Sequence, residues 1–311
     1  HAAIDPSKNI ILTPGTQGAL FLAIGSMAAR GDKVAIVEPD YFANRKLAEF
    51  FECTPVPIPM DYFHAKDGSG IDLTYLEERF REGIRLFLFS NPNNPTGAVY
   101  SSEEIHAIAK LAKKYHVSLI VDELYSRQIF DERDYTHLCA LADLPEEMVT
   151  IIGPSKTESL SGFRLGVAFG SETVITRMEK LQAIVSLRCA GYCQSVFHTW
   201  FSEPEGFMED RIANHQAIRD DLVAILRTVP GVEVRSTDAG SYLFPKLPPM
   251  DISITDFTKV VRELAGVTIT PGTEFGANCT DSFRVNFSQD HDAAVDAMKR
   301  ILAIMERYRI K

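Results

Sequence analysis

The 311-residue sequence predicts an α/β fold: a large domain over residues 1–204 with a mostly parallel sheet sandwiched by helices, and a smaller C-terminal α+β domain over residues 205–311. Three observations predict it. Short, near-continuous apolar runs alternate with helical stretches through the first half, the pattern of a parallel sheet covered on both faces. The texture then changes after about residue 205, where a long amphipathic stretch leads into short strand-like pieces. Finally, four candidate chemical residues each follow one of the apolar runs, and ligands of such sheets collect beyond the carboxyl ends of the strands.

In chain order, the buried strands are expected at 34–37, 86–90, 119–121, 149–152 and 165–169, separated by helices around 18–29, 41–51, 73–80 and 102–115. Tyr41 follows the first run, the turn Asn91-Pro92-Asn93-Asn94-Pro95-Thr96-Gly97 the second, Asp122 the third and Lys156 the fourth. All four therefore fall on one edge of the sheet. A long helix over 206–229 stops at Pro230-Gly231, and strand pieces follow at 232–235 and 241–244. Next come a helix over 255–265, strand pieces at 267–270 and 283–287, and a final helix over 290–308. The segment Pro271-Gly272-Thr273-Glu274-Phe275-Gly276 reads as a mobile loop ahead of Arg284. No internal repeat or low-complexity tract interrupts the chain.

Composition narrows the function classes. A formal net charge of -10 and a pI near 5.3 oppose a nucleic-acid surface, which calls for a basic stripe. No apolar run approaches the ~20 residues of a membrane helix, and His1-Ala2-Ala3-Ile4-Asp5 is not a signal peptide, so a cytoplasmic protein is the expectation. Cys53, Cys139, Cys189, Cys193 and Cys279 are an odd, scattered set that reads as reduced thiols. Cys189 and Cys193 sit four apart on an expected helix without a second ligand pair, which makes them packing residues and leaves no metal site.

The chemistry-bearing segments are the Asn91 turn, Val121-Asp122-Glu123-Leu124-Tyr125 and Gly153-Pro154-Ser155-Lys156-Thr157-Glu158-Ser159-Leu160-Ser161-Gly162-Phe163-Arg164. They place a carboxamide, a carboxylate, a phenol, a lysine and a guanidinium in the order that pyridoxal phosphate chemistry uses. A lysine amine holds an aldehyde cofactor as a Schiff base, and a buried carboxylate, here Asp122, keeps the pyridine nitrogen protonated. Asn94 and Tyr125 are donors for the ring oxygen. Arg164 and Ser155 supply a guanidinium fork and a hydroxyl for the phosphate. Once displaced, Lys156 is the acid–base that moves a proton at the α-carbon. Taken singly, each segment has an ordinary alternative: a strand-to-helix turn, a surface lysine, a helix cap. Their conjunction in one chain favours the chemistry.

On these residues the chain resembles the aspartate-aminotransferase superfamily, the fold type I pyridoxal-phosphate enzymes of aminotransferase class I/II, from about Asn9 to about Ile304. The resemblance implies an aminotransferase that uses pyridoxal 5′-phosphate and moves an α-amino group from an L-amino acid to a 2-oxo acid. It implies that Lys156 carries the cofactor, that Asp122 pairs with its ring nitrogen and that Asn94 and Tyr125 bind its ring oxygen. Arg164, Ser155 and the Gly15-Thr16-Gln17 turn would hold its phosphate at a helix N-terminus. Tyr41 matches the ring-stacking aromatic, and Arg284 in Phe283-Arg284-Val285-Asn286-Phe287 the residue that forks the substrate α-carboxylate. A homodimer with shared active sites is implied too, with the segment Ser186 to Gln194 contributing across the boundary.

Two features depart from the pattern. Relatives carry an N-terminal segment ahead of the cradle that gives an arm, a pocket floor and a tyrosine for the partner's phosphate, whereas this sequence starts at His1. The expectation is a piece of a longer protein, because a pocket without those parts would admit water. Glu158 stands where relatives often have an aromatic residue. Arg188 and His198 are weighed as pocket residues, with a surface arginine and a core-helix histidine as the ordinary readings. The same constellation also serves β-elimination, decarboxylation, racemisation and cyclising synthesis, and an aminotransferase-like domain can be the sensor of a transcription regulator. Those alternatives stay open at the level of sequence.

Overall fold

A computed structural model describes residues 4–310. Seven strands form the main sheet: β1 (Ile10–Pro14), β2 (Lys33–Glu38), β3 (Thr54–Pro59), β4 (Leu86–Ser90), β5 (Ser118–Asp122), β6 (Met148–Ile152) and β7 (Leu165–Gly170). Their order is β1-β7-β6-β5-β4-β2-β3. Strand β7 runs antiparallel to both its neighbours, and the pairs from β6 to β3 are all parallel. The expected α/β architecture with a mostly parallel sheet is what forms.

Side-chain alternation splits the core in two. Phe87, Phe89, Leu119 and Val121 point to the face covered by α3 (Leu73–Arg81) and α4 (Ser102–Tyr115). Leu86, Leu88, Ile120 and Ile151 point to the opposite face, under α1 (Gly15–Met27), α2 (Phe42–Phe50) and α5 (Glu172–Val185). Residues fully buried on both faces leave no polar side to β4 or β5, hence their uninterrupted apolar runs. Helix α4 opens with a full capping box, Ser101 and Glu104 each accepting the other's backbone N–H.

Two strands escape the apolar-run reading. Strand β3 contains Pro55, Pro57 and Pro59, a composition that argues against a strand. It is tolerated because β3 is an edge pairing only with β2: the N–H groups of Thr54 and Met60 reach Asp32 and Glu38, so the prolines' missing donors all face the open side. Strand β1 is short and flanked by polar residues. Conversely, the strand expected over 232–235 is a single bridge between Glu233 and Lys246, because Arg235 is drawn off to the carbonyls of Tyr62 and Gly68 and to Asp238. The helix expected around Cys189 and Cys193 shrinks to α6 (Gly191–Gln194), which leaves Cys189 outside it. Both thiols are buried against Leu165, Val167 and Trp200, as packing residues.

Beyond α6, the long helix α7 (Phe207–Arg227) leads to β8 (Tyr242–Leu243), α8 (Ile254–Ala265), β9 (Thr270–Pro271), β10 (Phe283–Asn286) and α9 (His291–Tyr308). The sheet β8-β10-β9 packs with these helices around a core of its own, centred on Phe257, Phe283 and Phe287. Helix α8 is capped by Ser253 and ends on Gly266 in the left-handed region. Among the described residues no helix is long and apolar enough to cross a membrane.

Candidate active site

The carboxyl ends of β4, β5 and β6, the N-terminus of α1 and strand β10 meet at a cavity of about 230 Å³. Thr16, Gln17, Tyr41, Asn94, Asp122, Tyr125, Ser155, Lys156, Arg164 and Arg284 all line it. Sheet register brings two of these segments together: Ser90 and Asp122 are partners across β4 and β5, and Asn91 N–H donates to the Asp122 carbonyl (2.9 Å).

At one end lies an anion cradle. Pro14 caps α1 without any side-chain acceptor for the helix's first N–H groups, which leaves donors and the positive end of the helix dipole facing the cavity. Gly15 has φ of +74°, and a Cβ there would come within 2.3 Å of an Arg164 Nη atom, so only glycine allows the guanidinium to lie against the turn. Arg164 is held by the Ser161 carbonyl (2.8 Å), and among the described residues neither it nor Lys156 makes an ion pair. Two free cations and an open helix N-terminus in one cavity suit a phosphate.

At the other end is an unpaired acid. The Asp122 carboxylate accepts one backbone bond, from Leu124 N–H (3.1 Å). Burial pushes its pKa up to about 6, against the Leu124 bond and with help from neighbouring Glu123. A cationic ring nitrogen is the partner such a carboxyl lacks. Glu123 itself points away, to His137 (2.5 Å). Tyr41 lies beside the cradle with its hydroxyl on Gln17 (3.2 Å).

Also lining the cavity, Arg284 is stacked on the rings of Tyr242 (4.1 Å) and Phe275 (4.8 Å). Its Nη1 donates to Asn94 Oδ1 (3.0 Å), and its Nε is buried without a partner. Among the described residues it makes no ion pair, and a guanidinium with a free donor suits a carboxylate fork. The Tyr125 hydroxyl meets that of Tyr242 at 3.0 Å, and burial raises the Tyr125 pKa well above its ordinary value, so the phenol is a donor.

The structure does not bring every weighed residue here. Glu158 turns away to Arg127 (2.6 Å), which also grips Glu203 (2.8 Å). Arg188 and His198 are exposed and outside the cavity, so His198 is not a core-helix residue. Sequence reasoning missed Tyr242, Ser90 and Phe275. Ser90 alone had a signal, as the last residue of an apolar run just ahead of the Asn91 turn. The donor set, one cradle for an anion, one acid for a ring nitrogen and a lysine on the same cavity, fits pyridoxal phosphate.

A family model described as aminotransferase class I and II matches residues 1–301. The chain belongs to this family. Class I and II aminotransferases use pyridoxal 5′-phosphate, and this chain is a pyridoxal-phosphate-dependent transaminase acting on amino acids and 2-oxo acids. It is similar to an aspartate aminotransferase of Pyrococcus horikoshii, 29% identical over 301 residues that cover 96% of this chain and 76% of the relative. It is also similar to the crystal structure of an aspartate aminotransferase from Rhodobacter sphaeroides, at 60% identity and a TM-score of 0.97, covering 99% of this chain and 78% of that one. An N-succinyldiaminopimelate aminotransferase from Mycobacterium tuberculosis, at 23% identity and a TM-score of 0.88, shares the fold, with 96% of this chain and 78% of that one covered.

Asp122 carries a testable cost in the cofactor-free transaminase. Its folded pKa of about 6 stands above the ordinary 3.8, so between those values the folded state binds more protons than the unfolded one, and stability falls as pH rises through that window. Asp122→Asn removes this contribution. The cofactor-free variant should melt higher than the parent near pH 8 and by much less near pH 4, where the folded carboxyl is neutral and the unfolded one only about half ionised. Thermal unfolding at the two pH values measures it; an equal difference at both would show that the carboxyl carries no such penalty.

Proposed function

We propose that Lys156 is the amine that carries the cofactor and moves the proton at the substrate α-carbon, and that L-aspartate is the amino donor. The observation that carries the first part is the convergence of Lys156, Asp122, Arg164 and Arg284 on one cavity from four separate segments. The second is supported by the names of the relatives, above all the Rhodobacter sphaeroides protein at 60% identity.

When bound, pyridoxal phosphate supplies an electron sink for the negative charge that develops at the α-carbon. The chain's residues do the rest. Arg164, Ser155, Thr16 and the α1 N-terminus, with Gly15 allowing the close approach, hold the phosphate. Asp122 keeps the ring nitrogen protonated, which its lone backbone bond leaves it free to do. Tyr41, steadied by Gln17, stacks on the ring. Asn94 and Tyr125 donate to the ring oxygen; because Arg284 occupies Asn94 Oδ1, the amide NH₂ is turned to donate elsewhere. Arg284 forks the α-carboxylate and so fixes which α-bond is presented. Lys156 Nζ, which makes no ion pair among the described residues, then takes the proton from one atom and returns it to another.

We place the division between a large and a small domain at residues 204/205, supported by the separate core around Phe257. Helix α7 bridges it: its Arg211 donates to the Lys156 carbonyl (3.2 Å) and to Ser159 Oγ (2.6 Å), bracing the lysine loop from the C-terminal side. A homodimer with shared sites is supported by the run of exposed apolar side chains Ile184, Val185, Leu187 and Tyr192 next to α6.

One preparation tests the donor and the dimer. Holoenzyme should sediment as a dimer, convert 2-oxoglutarate to glutamate with L-aspartate as donor, and accumulate the amine form of the cofactor, read by absorbance, when aspartate is given alone. Faster turnover with an aromatic or aliphatic donor would reject aspartate, and a fully active monomer would reject shared sites.

A further inference from the structure

The Glu38–Phe42 stretch holds a buried carboxyl with no place in the chemistry above. Asp40 is only 2% exposed, yet no cation pairs with it among the described residues. Its oxygens instead accept Tyr41 N–H (2.6 Å), Ser90 N–H (3.0 Å), Ser90 Oγ–H (2.5 Å) and Asn44 Nδ2–H (3.3 Å). Ser90 Oγ in turn accepts Asn94 N–H (3.1 Å). The Asp40 backbone N–H donates to the Phe275 carbonyl (3.1 Å), in the loop whose ring stacks on Arg284.

We propose that Asp40 is a positioning residue that sets the Tyr41 ring, the Asn94 amide and the Phe275–Arg284 stack in register around the bound cofactor. The inference rests on the reading of Tyr41 and Asn94 given above and extends it. Three segments far apart in sequence, the ends of β2 and β4 and the loop before β10, meet at this one residue. The side chain reaches two of them and the backbone the third. A hydrophobic residue could fill the same space, but four donors would then be left without an acceptor inside the protein, a costly arrangement that the local backbone would relieve by moving. Such movement displaces Asn94 through Ser90 and tilts Tyr41 through its own N–H. Its effects should therefore appear in the cofactor's spectrum, and not in fold stability alone. The titratable groups facing the carboxyl are Asp122 on β5 and the buried phenol of Tyr100.

The readout is the pH midpoint of the visible band of bound pyridoxal phosphate. A donor that shares the ring oxygen weakens that oxygen's hold on the proton it shares with the Lys156 nitrogen, so a misplaced Asn94 raises the midpoint. Asp40→Ala should raise it by about one pH unit and weaken cofactor binding, measured by fluorescence titration, about tenfold, the two being the same free energy at about 1.4 kcal/mol per decade. Asp40→Asn, which keeps one acceptor oxygen, should fall between Asp40→Ala and the parent. Phe80→Leu, on the buried face of α3, should lower the melting temperature and leave the midpoint in place.

If Asp40→Ala does not yield folded protein, Ser90→Ala, which removes only the hydroxyl bridging Asp40 and Asn94, carries the decision, with a rise expected. Asn94→Ala runs in the same titration. An unmoved midpoint in the deciding variant, beside a raised one in Asn94→Ala, would overturn the role of Asp40 alone. A midpoint that also stays put in Asn94→Ala would overturn the reading of Asn94 and this inference with it.

Discussion

Lys156→Ala should reduce transamination by at least about 10⁴-fold while the protein still binds pyridoxal phosphate, because the substitution removes both the covalent anchor and the acid–base but leaves the cradle. Every other group proposed to hold the cofactor lies on a different segment or a different part of the loop. Arg164 is fixed by Ser161, the α1 N-terminus by the Gly15 turn, and Asp122 by strand β5. Cofactor retained by the variant should be removable by dialysis, whereas borohydride should fix it permanently to the parent. Peptide mapping after reduction then identifies the site. The label is expected on Lys156, the one lysine among the described residues that lines the cavity; a label on any other lysine would sink the assignment. Exogenous small amines should restore part of the activity, since they replace the proton-transfer group without the tether.

That assignment was legible in the sequence because Lys156, Asp122 and the Asn91 turn each follow an apolar run, and the carboxyl ends of parallel strands are where such a fold must place its ligands. The cradle was legible for a local reason as well: a glycine turn opening a helix. What stayed hidden depends on contacts between distant segments. Tyr242 reaches Tyr125 across 117 residues of chain, and Asp40 reaches Ser90 across 50. Neither has a local pattern that marks it, since a tyrosine in a two-residue strand and an aspartate before a helix are ordinary in any sequence. Strand β3 was hidden for the opposite reason. Its prolines carry a strong local signal against a strand, and only its edge position makes them harmless. Glu158 illustrates the limit at a single residue: two residues after the lysine, it points into a cluster with Arg127 and Glu203 that ties the loop to the last residues of the large domain.

Arg284→Lys should discriminate between substrate binding and structure. A guanidinium packed on Tyr242 and Phe275, with Nη1 committed to Asn94 and Nε without an acceptor among the described residues, lines the cavity with donor capacity to spare. Lysine can restore the charge but not the two parallel bonds or the stacking. Truncating one partner of a desolvated charge pair costs about 2–5 kcal/mol, and this corresponds to a fall of roughly 30- to 5,000-fold in kcat/KM for amino acids. Amines that lack the α-carboxylate have no partner for Arg284, so their slow half-reaction, followed by cofactor absorbance under single-turnover conditions, should change little. The loss for amino acids should fall on KM and kcat together, because the carboxylate grip both binds the substrate and aims its α-bond. An equal loss for amino acids and amines would instead assign Arg284 to holding the Asn94 turn and the Tyr242 strand in place, with the carboxylate bound elsewhere.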